Sequence, residues 1–206
     1  MSASTGKAAA RRRTSSRDIA FIAIFAGIIA ALGVVPAFQP PGFPVPITLQ
    51  SMGVMLAGSI LGARRGFAAV MLFLALVAIG LPFLAGGRGG LAVFVGPTVG
   101  FLIAWPIAAF VIGWLTDRAG APYRLGWGIV ANFLGGIVLM YAFGIVGIMI
   151  VGQLSLSASI VATWIFIPGD LVKVVLTALI ARSVHHAYPG LLPQRATATP
   201  ASPAIP

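Results

Sequence analysis

Asp170 and Lys173 stand three residues apart in an otherwise apolar run, Ile167-Pro168-Gly169-Asp170-Leu171-Val172-Lys173. Opposite charges at that spacing share a helix face and partly neutralise each other. With Arg182 as the end of the apolar run, a rise of about 1.5 Å per residue puts Lys173 roughly 13 Å and Asp170 roughly 18 Å inside it. Each charge at such depth costs about 2.5–3.5 kcal/mol on insertion scales. Proline removes an amide donor and clashes with the preceding turn, so the helix is expected to break at Pro168-Gly169. Asp170 then follows the break, where its carboxylate can cap the new helix start and meet the positive dipole end. Capping alone needs no lysine one turn later. The pair therefore reads as a polar site for a ligand rather than a self-paired couple.

Other residues suit the same purpose. Thr48 and Gln50 can hydrogen-bond a ligand from the start of a second apolar segment. Ahead of them, Pro36 to Pro46 holds five prolines in eleven residues, with Phe38 and Phe43. That stretch is either a rigid connector or a lid. In Gly86-Gly87-Arg88-Gly89-Gly90 the glycines permit close backbone approach, and Arg88 either reaches lipid headgroups or faces an anionic ligand. Ala23, Gly27 and Ala31, with Ala26 and Ala30 beside them, give the first apolar segment small residues four apart, which let helices approach closely in lipid. They serve packing within the bundle or docking of a partner membrane protein.

Several chemistries are excluded or disfavoured. The only acids are Asp18, Asp117 and Asp170. An intramembrane aspartyl protease, suggested by Gly169-Asp170, needs two carboxylates sharing a proton, and no second acid is available at depth. The chain has no cysteine, so thiolate chemistry is absent. No phosphate-binding loop occurs, so this chain is not expected to hydrolyse ATP. His185 and His186 lack metal-ligand companions and read as interfacial residues; no metal or other cofactor is expected. The chain is not expected to be an enzyme.

The elements that must position these residues are membrane spans. Of 206 residues, 59% are hydrophobic and 8% charged, against roughly 25% charged in soluble domains. A span needs about 20 apolar residues, which leaves room for about six. They are expected near Ile19–Val35, Ile47–Leu61, Phe67–Leu84, Leu91–Leu115, Trp127–Val151 and Ile160–Ala181. Pro97 and Pro106 then fall in the fourth. Lys7, Arg11, Arg12, Arg13, Arg17, Arg64, Arg65, Arg118, Arg124, Arg182 and Arg195 all fall on one side, and only Arg88 on the other. Positive charge marks the cytoplasmic side, so both termini are expected there. The net charge of +10 sits in tails and short loops rather than on a basic face, which argues against nucleic acid as a partner. The expected organisation is a disordered basic tail over 1–17, retained rather than cleaved as a signal, a six-helix membrane domain over 18–186 and a disordered tail over 187–206.

Taken together, Pro44-Val45-Pro46-Ile47-Thr48-Leu49-Gln50, Leu61-Gly62-Ala63-Arg64-Arg65-Gly66, Gly80-Leu81-Pro82-Phe83-Leu84-Ala85-Gly86-Gly87, Gly96-Pro97-Thr98 and Pro168-Gly169-Asp170-x-x-Lys173 resemble the BioY family of biotin transporters. The matches run in order from about Ile19 to Arg182. The resemblance implies an all-α, six-helix substrate-capture (S) component of an energy-coupling factor transporter in a prokaryotic cytoplasmic membrane. A transmembrane scaffold and two ATPase subunits would supply the energy and hydrolyse ATP. It carries biotin contact onto Asp170 and Lys173, and scaffold docking onto Ala26-x-x-x-Ala30. Relatives have a polar residue near Gly86 or Gly87, where this chain has glycine followed by Arg88. Three other readings stay open: the same architecture serving another vitamin, a solitary transporter or homo-oligomer without ATPase partners, and a structural membrane protein.

Overall fold

The computed structural model describes residues 15–39, 41–42 and 44–193. Eight α-helices account for most of it: α1 (Ser16–Val34), α2 (Gln50–Leu61), α3 (Ala63–Ala78), α4 (Val99–Ala119), α5 (Leu125–Phe133), α6 (Met140–Val151), α7 (Leu156–Trp164) and α8 (Ile167–Ala187). A π-helical turn, Leu134–Leu139, joins α5 to α6 without interruption. No strand occurs among the described residues, only isolated bridges between Phe38 and Ile47 and between Leu84 and Arg88.

By length and apolarity, α1, α4 and the continuous Leu125–Val151 helix can cross a membrane, and the bent pair α7–α8 makes a fourth candidate. The 12 residues of α2 and 16 of α3 fall short of the roughly 20 that a perpendicular span needs. Apolar side chains cover both faces. Phe73, Ile29, Met55 and Ile112 are fully buried, whereas Val138, Val146, Leu176 and Ile180 lie exposed as a lipid-facing surface would.

Local chemistry sets the helix ends. Ser15 and Asp18 form a reciprocal capping box at the start of α1, which satisfies two of the unpaired amide donors there. Between α2 and α3 the chain turns on Gly62 at φ 78°. A side chain there would be strained in the left-handed region and would also meet the Asp117 carboxylate. That carboxylate accepts from Ala63 N–H at 2.9 Å and so caps α3. In the π turn, Cβ atoms on Gly135 and Gly136 would meet Ile112 and Met55. The glycine pair thus lets this helix press against α4 and α2.

Four expectations are corrected. The expected break at Pro168-Gly169 lies earlier, as a 54° bend between Trp164 and Ile167. Pro168 sits in the first turn of α8, where its missing N–H has no intrahelical role. Pro97 is not in a span but in the turn before α4. The second span starts at Gln50 rather than Ile47, because Ile47 is held in the bridge to Phe38. Finally, the chain beyond 187 stays packed through Pro193: Leu191 and Leu192 are buried, and Ala121 N–H donates to Pro193 O at 3.1 Å. The rest of the two expected tails, 1–14 and 194–206, lies outside the described residues.

The two ends of the bundle differ in charge. Arg65 pairs with Asp18 at 3.4 Å, Asp117 caps α3, and Ala121 meets Pro193. These contacts gather the start of α1, the α2–α3 turn, the α4–α5 turn and the end of α8 at one end, together with Arg17, Arg64, Arg118, Arg124 and Arg182. Arg88 lies at the other, beside the cavity described next.

Candidate functional site

A cleft opens at the Arg88 end, between the first two turns of α2, α4 and α8 and the first residues of α6. Phe101, Trp105, Tyr141 and Phe166 supply aromatic walls, and Val45, Ile47, Leu84 and Leu102 aliphatic ones. Phe101 and Phe166 meet edge to face at 6.3 Å. A largely apolar cleft with a few convergent polar groups is the usual form of a small-molecule site.

Those polar groups converge on α8. Lys173 Nζ donates to Asp170 Oδ1 at 2.7 Å, to the Thr48 carbonyl at 2.7 Å and to Ser51 Oγ at 3.2 Å. Its three donors are all engaged. Tyr141 Oη donates to Asp170 Oδ2 at 2.7 Å. Asp170 and Lys173 are each 6% exposed, a tightly hydrogen-bonded ion pair on the cavity wall. Asp170 lies in the first turn of α8 but makes no capping bond. The expected cap is thus corrected: both carboxylate oxygens turn instead to Lys173 and Tyr141.

Gln50 also lines the cavity, but its amide is spent on backbone. Nε2 donates to Phe83 O at 2.9 Å and to Ile29 O at 3.2 Å, and Oε1 accepts from Ala85 N–H at 2.9 Å. It ties the 79–90 loop to α1 and α2. Gly33 makes room for this: a Cβ there would meet Phe83 O and the Gln50 amide. Thr48 offers its carbonyl to Lys173, and its hydroxyl accepts from Gln50 N–H at 3.3 Å.

In the 79–90 loop, Leu84 and Arg88 line the cavity, whereas Gly86 and Gly87 do not. Those two glycines, at φ 78° and 69°, form the exposed tip that lets Leu84 and Arg88 pair. Arg88 is exposed, with Nε donating to Ala85 O at 3.2 Å. Partial burial pulls its pKa down from the ordinary arginine value, but a guanidinium keeps its charge. Phe38 is 64% exposed and off the cavity; Phe43 lies outside the described residues. Val45 and Pro46 bring their loop to the site instead.

On α1, Ala26 is buried in the core and Ala30 half-buried, whereas Ala23, Gly27 and Ala31 face outward. A Cβ on Gly27 would meet nothing within 4 Å. The free small-residue stripe is therefore Ala23-Gly27-Ala31, one helical face away from Ala26-x-x-x-Ala30.

Tyr141 is the polar partner that sequence reasoning missed. It is the only tyrosine within a long apolar helix, and a hydroxyl at such depth needs a partner. No metal-ligating cluster of histidine or carboxylates occurs among the described residues.

The sequence matches the model of the BioY family over residues 5–190. It is 50% identical to the biotin transporter BioY of Rhizobium etli, over 88% of this chain and 100% of that protein. It is 54% identical to the biotin transporter BioY of Rhodobacter capsulatus, over 85% and 97%. Its fold is similar to the crystal structure of the S-component for biotin from an ECF-type ABC transporter, with a TM-score of 0.78, 34% identity, and coverage of 82% of this chain and 91% of that one.

Proposed function

The chain belongs to the BioY family, and from that membership we propose that it takes up biotin as the substrate-capture (S) component of an energy-coupling factor transporter. The observation that carries the site assignment is the buried Asp170–Lys173–Tyr141 network on the wall of an aromatic cavity. An ion pair is expensive to bury, and a ligand able to exchange bonds with it accounts for its position.

Biotin has a ureido ring with two N–H donors and a carbonyl acceptor, an apolar thiophane ring and a carboxylate tail. The ureido ring goes deep in this reading. Its N–H groups donate to Asp170, displacing Tyr141 Oη, and its carbonyl accepts from Lys173 in place of Thr48 O. The thiophane ring packs among Phe101, Trp105 and Phe166. The carboxylate stays at the mouth, where Arg88 is the exposed cation. Gln50 positions the Arg88 loop, Gly86 and Gly87 form its tip, and the Phe38–Phe43 loop acts as the lid.

Six crossings with both termini in the cytoplasm is the topology we propose, in a prokaryotic inner membrane. Its support is the clustering of arginines at the end of the bundle opposite the cavity, as positive-inside orientation requires. A scaffold subunit would dock on the outward Ala23-Gly27-Ala31 stripe, and ATP would be hydrolysed by partner subunits. Biotin binding to the purified chain, in competition with thiamine and riboflavin, tests the reading. Displacement by either vitamin as readily as by biotin would overturn it.

A further inference from the structure

One face of α4 runs down the wall of the cleft. Thr98, Phe101, Leu102 and Trp105 all line it, at the i, i+3, i+4 and i+7 spacing that puts residues on one side of a helix. Thr98 is the one polar member of the four. It is also the outermost. It immediately precedes α4 and follows the short 3₁₀ turn Leu91–Val95, whose Leu91 and Val95 are exposed. At about 1.5 Å of rise per residue, it stands roughly 10 Å above Trp105 along the helix.

Thr98 is only 8% exposed, yet its hydroxyl has no hydrogen-bond partner among the described residues. The residue stands at the N-cap of α4, where a threonine oxygen ordinarily accepts from an amide of the first turn. Here its backbone is already helical, at φ −78° and ψ −8°, and the side chain makes no capping bond. Val99 N–H goes to Gly96 O at 3.0 Å and Leu102 N–H to Thr98 O at 3.2 Å, whereas the Gly100 and Phe101 amides have no acceptor among the described residues. No acidic residue lies in the first turn. The positive end of the α4 dipole is therefore neither capped nor countered. A valine would fill the volume of Thr98 with no hydroxyl to satisfy. An uncapped helix start with a buried hydroxyl donor beside it suits an anionic oxygen.

We propose that Thr98 and the N-terminus of α4 hold the carboxylate of the ligand, as the second half of a clamp whose first half is Arg88. The clamp rests on the transport reading above and deepens it. Thr98 Oγ1 donates to a carboxylate oxygen. The α4 dipole and the Arg88 guanidinium, which lines the same cleft, supply the positive field. Phe101 and Trp105, further down the same helix face, are left to the apolar ring. The clamp selects ligands that end in a free carboxylate over their esters.

Thr98→Val and Thr98→Ser, each in the full chain, are titrated with biotin and with biotin methyl ester, and melted without ligand. Thr98→Val is expected to lose about tenfold in affinity for biotin, the worth of one charge-assisted hydrogen bond, and less than about twofold for the ester. Thr98→Ser keeps the donor and is expected to bind biotin within about threefold of the parent. The valine variant is expected to melt at or above the parent temperature, because an unpartnered hydroxyl holds nothing together. Equal losses for acid and ester, no loss for either, or a fall in melting temperature alone would overturn the clamp and leave the transport reading standing. Thr98→Ala, read in the same way, decides if the valine variant does not accumulate. A parent chain that binds neither ligand contradicts the transport reading, and the clamp with it.

Discussion

Tyr141 on α6 donates a 2.7 Å hydrogen bond to Asp170 on α8. The bond ties the helix that contains the π turn to the helix that carries the ion pair, and it occupies the carboxylate oxygen that Lys173 leaves free. Tyr141→Phe removes the donor and keeps the ring. We expect thermal stability in detergent to fall by no more than the equivalent of about 1 kcal/mol, and biotin affinity to change by about three- to tenfold, on the usual net worth of one hydrogen bond. A thermal melt of the purified variant reads the first and a biotin titration the second.

The ion pair itself separates stability from binding. Asp170→Asn or Lys173→Met alone strands a buried charge, at a cost of about 3–5 kcal/mol. The double variant carries no unpaired charge and is expected to melt close to the parent temperature, yet not to bind biotin. A double variant as unstable as the singles would contradict the pairing. Differential scanning fluorimetry distinguishes the two.

Gln50→Leu keeps the side-chain volume but leaves Phe83 O, Ile29 O and Ala85 N–H without their partner. With each buried unsatisfied group costing about 1–3 kcal/mol, the variant is expected to lose several degrees of melting temperature. The 79–90 loop should become accessible to proteases, visible as a new cleavage between Leu81 and Gly90.

Arg88→Ala tests the orientation of the ligand. If Arg88 holds the carboxylate at the mouth, the variant loses about tenfold in affinity for biotin, the worth of a charge-assisted bond near solvent. It should bind biotin methyl ester as the parent does. Equal loss for both ligands would place the carboxylate elsewhere.

Gly62→Ala forces a Cβ into a left-handed turn and against the Asp117 carboxylate. We expect destabilisation of about 2 kcal/mol or more, since the conformation itself is strained. Thermal melts read it, with Gly27→Ala as the tolerated comparison because open space surrounds that position.

The helical membrane character was legible because a nearly charge-free composition leaves few other folds, and Asp170 with Lys173 stood out because charge in such a setting is costly. What escaped the sequence was which atoms meet which. Nothing in the spacing says that the Gln50 amide is spent on the Phe83 and Ala85 backbone, or that Tyr141 reaches Asp170 across 29 residues. The bend before α8 was misplaced because proline marks a helix break equally well from inside its first turn. Small residues at four-residue spacing occur on adjacent faces of α1, so only packing told Ala26 from Ala23 and Gly27.

Isothermal titration of biotin into the purified chain, beside the Asp170→Asn/Lys173→Met double variant, tests the central claim most directly. The account predicts one saturable site in the parent chain and no measurable heat in a double variant that melts near the parent temperature. Unchanged binding in that variant, or none in the parent, would contradict it.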